Sequence, residues 1–265
     1  MTGACALIPA AGRGVRFGGP ENKVFAPLLG RPVLGWTLQA FADSAGIESI
    51  VLIGNEDDLP RLREIGAQYG GGKVRAVIQG GTERQTSVRL GLAAVGNARI
   101  VVIHDAARPC VTPQLIAACI FEARRHHAAY VALPLVDTLV RSDRRDFAEP
   151  VDREGLWVVQ TPQAFGTTII RNAHFKAVEQ GWTATDDAGL VRQMAHAVHR
   201  VDGSPENLKI THPEDIVVAE AILTRRGHTA SSLAQNVSSS DSPSPSEERT
   251  SGDRPCPAWT PGAGG

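Results

Sequence analysis

The chain has 265 residues, 42% of them apolar, and a formal net charge of −1, enough for a core in one large or two small α/β domains. Its basic residues are dispersed, which excludes broad electrostatic binding to nucleic acid or an anionic membrane, and its longest aliphatic runs fall far short of the roughly 20 residues that cross a bilayer. No basic region precedes a long apolar core, and Cys5, Cys110, Cys119 and Cys256 lack metal-ligand spacing, so the expectation is a reducing cytoplasm without a disulfide framework or structural zinc.

The first predicted strand, 4–9, runs into Pro9-Ala10-Ala11-Gly12-Arg13-Gly14-Val15-Arg16-Phe17-Gly18-Gly19 and on to Lys23. A glycine-rich loop leaving a strand exposes many backbone N–H groups, and with two cations it is equipped to hold a polyphosphate. It is not a dinucleotide fingerprint, because Phe17 stands at the sixth place from Gly12. It is not a Walker loop either, since Gly72-Lys73 is followed by Val74 and the first required glycine falls on Ala67.

Further strands are predicted near 48–54, 74–78, 99–104 and 129–134, with helices near 32–44, 58–69, 84–95 and 113–127 between them. That alternation predicts an α/β fold, a Rossmann-like, mostly parallel sheet flanked by helices. Ligands of such sheets gather beyond the carboxyl ends of the strands. The glycine loop, Gly80-Gly81-Thr82-Glu83-Arg84 and His104-Asp105-Ala106-Ala107-Arg108-Pro109 should therefore converge. Between about 136 and 159 the charged turn Arg141-Ser142-Asp143-Arg144-Arg145-Asp146, flanked by Leu139-Val140 and Leu156-Trp157-Val158-Val159, predicts a projecting β-hairpin arm suited to pairing with another subunit or to lying on the surface. Helices follow near 167–180 and 186–195, strands near 197–201 and 207–211, and a last helix near 213–226 capped from Thr211 or the His212-Pro213-Glu214-Asp215 run. Residues 1–227 form the expected domain. From 228 to 265 the composition turns to Ser, Pro, Thr, Gly and Glu, too poor in apolar surface to order itself.

Arg16 and Lys23 are the leading catalytic candidates, because nucleotidyl transfer needs charge held around phosphorus rather than a covalent helper. Asp105 could hold a divalent metal or a nucleotide sugar, or stiffen its loop by pairing with Arg108. The pair Asp186-Asp187 reads as helix capping. Arg153, Thr161, Lys209 and Thr138 could bind a second phosphorylated substrate. No Ser-His-Asp order or histidine metal spacing stands out among the eight His, which disfavours a hydrolytic triad.

In order, the blocks PAAGRGVR with Lys23, GGTERQTSV, HDAARP, PLVDT, VDREGLW, QTPQAF, TDDA and ENLKIT with a following PED resemble those of the 2-C-methyl-D-erythritol 4-phosphate cytidylyltransferases over residues 4–226. The resemblance implies transfer of CMP from CTP to methylerythritol phosphate in non-mevalonate isoprenoid synthesis. It implies that Arg16 and Lys23 stabilise the transition state and that Arg153 and Lys209 position the acceptor. Ala10, Ala11, Gly12, Gly14, Gly81, Ser87, Asp105 and Ala106 match nucleotide-site positions, and Arg108, Thr138, Thr161 and Thr185 match acceptor-site positions. It also implies magnesium, with Asp105 as its candidate ligand, a homodimer joined through the arms, and acceptor sites shared between subunits. Two departures are Asn22-Lys23-Val24 in place of the usual Pro-Lys-Gln, and Thr82 where an acidic residue is common. The competing readings are a ribitol 5-phosphate cytidylyltransferase, against which the second Ala of HDAARP argues, and a nucleotide-binding regulatory module without turnover.

Overall fold

The computed structural model describes residues 3–12, 17, 22–144 and 147–229. In chain order, β1 (Ala4–Pro9) leads to a short ladder of β2 (Pro27–Leu28) and β3 (Arg31–Pro32). Next come α1 (Val33–Asp43), β4 (Ile47–Gly54), α2 (Leu59–Tyr69), β5 (Val74–Gln79), α3 (Arg84–Gly91), β6 (Ile100–Ile103), α4 (Pro113–His126) and β7 (Ala128–Pro134). The second half holds β8 (Leu139–Arg144), β9 (Phe147–Val151), β10 (Trp157–Gly166), α5 (Thr167–Gln180), α6 (Asp187–Gln193), β11 (His199–Asp202) and α7 (Glu214–Arg225).

Seven strands form one sheet in the order β11-β7-β10-β6-β1-β4-β5. Neighbours are parallel except at β10, which runs antiparallel to both β6 and β7. Strand β1, inside the sheet between β6 and β4, shows why both faces are covered. Ala4, Ala6 and Ile8 join one core with Leu34, Leu38 and Phe41 of α1, Leu62 of α2 and Ile116 and Ile120 of α4. Cys5 and Leu7, pointing the other way, join a second core with Val88 of α3, Ile170 and Ala173 of α5 and Leu190 of α6. A strand buried on both faces reads as a continuous aliphatic run rather than an alternation.

Helix α4 begins where its sequence dictates, with the Thr112 hydroxyl accepting from Leu115 N at 3.2 Å and Pro113 at the first position, a pairing that satisfies one free donor and removes another. Among the described residues no helix is long and apolar enough to cross a membrane.

Several expectations needed correction. The helix expected over 84–95 stops at Gly91; Ala93 N and Ala94 N then bond back to Leu90 O and Gly91 O, while Leu92 and Val95 stay buried. No strand forms over 207–211, because side chains fasten that segment in place of a ladder: Asn207 Nδ2 donates to Thr161 O at 2.8 Å and Gln160 Oε1 at 3.2 Å. The arm pairs Leu139 with Val151 and Val140 with Pro150, whereas Trp157 and Val158 belong to β10 and pair with Pro134 and Leu133 of β7. The last helix starts after Pro213 with no side-chain cap; instead Asp215 in its first turn fastens the segment leading in, its Oδ2 accepting from Thr211 N at 2.7 Å and His212 N at 2.8 Å. His228, expected in the tail, sits edge-on against Trp36 with ring centroids 5.0 Å apart. The rest of the tail, 230–265, lies outside the described residues.

Candidate active site

The loops after β1, β5 and β6 converge with Lys209 around a cavity of about 230 Å³ at the carboxyl edge of the sheet. Backbone leaves β1 through Ala10, whose N–H donates to Ile53 O at 2.7 Å. The far end of the glycine loop is tied to the same place by the buried Asn22: its Nδ2 donates to Ala10 O at 2.6 Å and to Asp58 Oδ2 at 3.2 Å. Asn22 Oδ1 also accepts from Val24 N at 3.3 Å, opening the one-turn helix Lys23–Phe25 whose Val24 and Phe25 are buried. Lys23 is thus carried at the cavity by an anchored turn, and its Nζ donates to Ile210 O at 2.6 Å. Arg16 and Gly14 lie outside the described residues.

Asp105 is the electrostatic centre. Lys209 Nζ lies 2.7 Å from its Oδ2, Arg84 Nε 3.2 Å from its Oδ1 and Arg108 Nε 3.9 Å from Oδ2. Burial by itself pushes the Asp105 carboxyl up, but Arg84, Lys209 and Arg108 outweigh it and hold the group ionised, well below the usual carboxylate range. Its backbone N–H donates to Thr161 Oγ1 at 3.1 Å, and the same hydroxyl lies 3.1 Å from His104 Nδ1. His104 is pushed down to about 3, chiefly by burial and further by Arg108 against the pull of Asp105, and so packs as a neutral ring.

Arg84 extends the cluster inward. Its Nη1 donates to Asp187 Oδ2 at 2.7 Å, and Asp187 Oδ1 lies 3.0 Å from His174 Nε2. The two neighbouring aspartates therefore divide the work expected of both. Asp186 caps α6, accepting from Gly189 N at 2.8 Å, whereas Asp187 is a fully buried ion-pair partner and not a cap. In the second glycine loop Ser87 Oγ accepts from Gly81 N at 3.1 Å and donates to Glu83 O at 3.0 Å. A Cβ on Gly80 would stand 2.7 Å from that hydroxyl, so only glycine lets the loop close onto α3.

Ala10, Ala11, Gly12, Lys23, Gly81, Ser87, Asp105, Ala106 and Lys209 all line the cavity. Thr161 and Arg108 sit behind Asp105, with Arg108 Nη1 donating to Asn207 O at 2.7 Å. Thr138, Arg153 and Thr185 are exposed and do not line it; Arg153 Nη1 donates to Val136 O at the base of the arm. Arg84, Asn22 and Asp187 were missed as site residues. Arg84 alone carried a legible signal, a cation closing a glycine loop at a helix start.

A family model described as 2-C-methyl-D-erythritol 4-phosphate cytidylyltransferase matches residues 4–225. The chain belongs to that family. A curated member from Pelotomaculum thermopropionicum is 43% identical over 230 residues, covering 85% of this chain and 96% of its own. One from Halalkalibacterium halodurans is 40% identical over 220 residues, covering 83% and 96%. Among solved structures, the cytidylyltransferase of Thermus thermophilus superposes with a TM-score of 0.67 at 35% identity over 82% of this chain and 98% of that one. The 4-diphosphocytidyl-2C-methyl-D-erythritol synthase of Anaerococcus prevotii gives 0.73 at 30% identity over 84% and 99%. The family spans the whole α/β body and stops short of the Ser/Pro-rich tail.

Proposed function

We propose that this cytidylyltransferase moves CMP from CTP to 2-C-methyl-D-erythritol 4-phosphate, releasing pyrophosphate and forming 4-diphosphocytidyl-2-C-methyl-D-erythritol. The observation that carries the reading is one cavity uniting the glycine-loop backbone, Lys23, an ionised Asp105 and Lys209 in a member of this family. A phosphate monoester has its second pKa at about 6 and is nucleophilic at neutral pH. Its oxygen attacks the α-phosphorus of CTP in line; an O–P bond forms while the bond from the α-phosphorus to the bridging oxygen breaks, and the electron pair leaves on pyrophosphate. Lys23 and Arg16 offset charge on the phosphates, and the glycine loop that leaves β1 through Ala11 and Gly12 receives them. No general base is needed, which agrees with a His104 held neutral and turned into the core.

Lys209 is the acceptor-side cation in the body, with Arg108 and Thr161 ordering the loop behind it. Arg153, Thr138 and Thr185 complete the acceptor site in our reading. Since Arg153 and Thr138 sit on or beside the arm and away from the cavity, the reading includes a homodimer in which one chain's arm reaches the other's cleft. Magnesium, which the family resemblance implies, does not fit Asp105 as that carboxylate stands: Oδ1 and Oδ2 already face Arg84 and Lys209. The ion would come with the triphosphate. A reducing cytoplasm is the proposed setting, in keeping with Cys5, Cys110 and Cys119 as buried free thiols.

The test is pyrophosphate release from CTP with methylerythritol phosphate and ribitol 5-phosphate in parallel. Turnover with the first alone is expected. Preference for ribitol phosphate, or CTP binding without turnover on either, overturns the reading.

A further inference from the structure

Far from the cavity, three potential metal ligands meet where α4 ends against the sheet edge. Glu122 and His126 stand one turn apart on α4, and His199 opens β11, the outermost strand. His126 Nε2 lies 3.2 Å and His199 Nε2 3.5 Å from the same oxygen, Glu122 Oε2. All three donor atoms fall within 4.8 Å of one another. Arg125 Nη1 takes the other oxygen, Oε1, at 3.4 Å. Glu122 Oε2 is itself buried without a hydrogen-bond partner, so neither imidazole N–H is directed at it despite the short separations. The rings stack with centroids 4.2 Å apart and planes 10° off parallel, so one imidazole must turn about its Cβ–Cγ bond for both nitrogens to aim at a single ion.

We propose that Glu122, His126 and His199 form a binding site for a borderline divalent transition cation, zinc by preference. Zinc holds imidazole nitrogen and carboxylate oxygen at about 2.0–2.2 Å, so two ligands of one tetrahedral ion lie about 3.3 Å apart; the separations from Oε2 bracket that value. Two nitrogen donors and one oxygen select zinc, cobalt or nickel over magnesium or calcium, which demand oxygen. The side chains of His126 and His199 are 40% and 44% exposed, leaving an entry path and a coordination position for water. The site also faces the carboxyl end of a 14-residue helix, whose dipole favours a cation. A bound ion would clamp the last turn of α4 to β11, two elements otherwise joined here through side chains. The site lies at the amino end of β7, where His199 pairs with Ala129, and so on the opposite edge of the sheet from the cavity.

The experiment is titration of the full-length chain with zinc chloride by calorimetry and with cobalt(II) by visible spectroscopy, for wild type, His199→Ala and Glu122→Gln. Wild type should bind one zinc that magnesium does not displace, show ligand-field bands with cobalt, and melt several degrees higher with zinc. Each variant should bind at least about tenfold more weakly and lose the bands, while its metal-free melting temperature and cytidylyl transfer stay at the wild-type level. Equal zinc affinity in wild type and both variants, or no binding in the wild type, overturns the proposal. Should metal-free melting drop in His199→Ala, the cobalt spectrum of Glu122→Gln decides: unchanged bands refute the site.

Discussion

At the carboxyl edge of the sheet, Asp105 has a cation on each oxygen and Asp187 is clasped by Arg84 and His174. In the arm, by contrast, β8 and β9 pair with each other and with no strand of the main sheet. Val140 is 59% exposed and Val136 73%. The cleft is fastened within one chain; the arm is built as if its counterpart stood outside that chain. This division falls along chemical lines, since the groups matched to the nucleotide line the cavity while two matched to the acceptor, Thr138 and Arg153, stand on or beside the arm. Under the proposed function, a single chain then holds most of the nucleotide half and only part of the acceptor half.

The nucleotide half is broken most severely at Lys23. Lys23→Ala should lower cytidylyl transfer by about 10²–10³ in kcat, as expected for a preorganised charge that acts on the leaving phosphates. Pyrophosphate release measured beside circular dichroism checks this, since the fold should persist. Near wild-type turnover would remove Lys23 from the mechanism.

Next in size is the buried support of the cleft. Asp187→Asn leaves Arg84 facing Asp105 with its inner anion gone, and losing one partner of a buried pair costs about 3 kcal/mol of stability. Burial raises the Asp187 carboxyl and Arg84 and His174 more than offset it, so its folded value lies below the ordinary 3.8. A depressed carboxylate contributes stability above its unfolded pKa and loses it as pH falls through the folded value. The gap between wild type and Asp187→Asn in urea unfolding should therefore be full at pH 7 and shrink below about pH 4. A gap independent of pH would mean that packing, not charge, holds the site.

For the arm, the expectation is a defect confined to the acceptor. Arg153→Ala should raise KM for methylerythritol phosphate about tenfold and leave KM for CTP nearly unchanged. If acceptor sites are shared, mixing Arg153→Ala chains with Lys209→Ala chains should restore about a quarter of wild-type activity, because half the dimers then carry one intact site. No recovery on mixing would place each acceptor site within a single chain.

The same division governs what could be read before any coordinates existed. Strands such as Ile100–Ile103 are buried on both faces and announce themselves as aliphatic runs, and the loops after them could be placed at one edge by topology alone. Strand β10 was hidden because its buried residues include Gln160, Thr161 and Gln163, which are 5%, 4% and 0% exposed. There hydrogen bonding, not hydrophobicity, satisfies the interior: Gln163 Nε2 donates to Asp186 Oδ2 at 2.7 Å, and its Oε1 accepts from Ala188 N at 3.0 Å. Asp187 looked like its capping neighbour since nothing local separates the two; Arg84 and His174, distant in sequence, do. His126 and His199 escaped notice for the same reason, lying far apart in the chain with neither His bearing a metal-ligand spacing to another.

The smallest expected effect tests how finely the nucleotide half is adjusted. Ser87 is buried, and its hydroxyl accepts from Gly81 N and donates to Glu83 O, closing the second glycine loop against the first turn of α3. Ser87→Ala removes those bonds without adding bulk, and a net hydrogen bond is worth about 1 kcal/mol. The loop's position should relax while the cations of the cleft stay in place. The result should be a rise of a few-fold in KM for CTP with kcat and acceptor KM held, since a contact used equally in ground and transition states leaves kcat alone. A fall in kcat to match would show that the loop tightens only as phosphorus is attacked, and would move Gly81 from the ground-state cradle to the transition state.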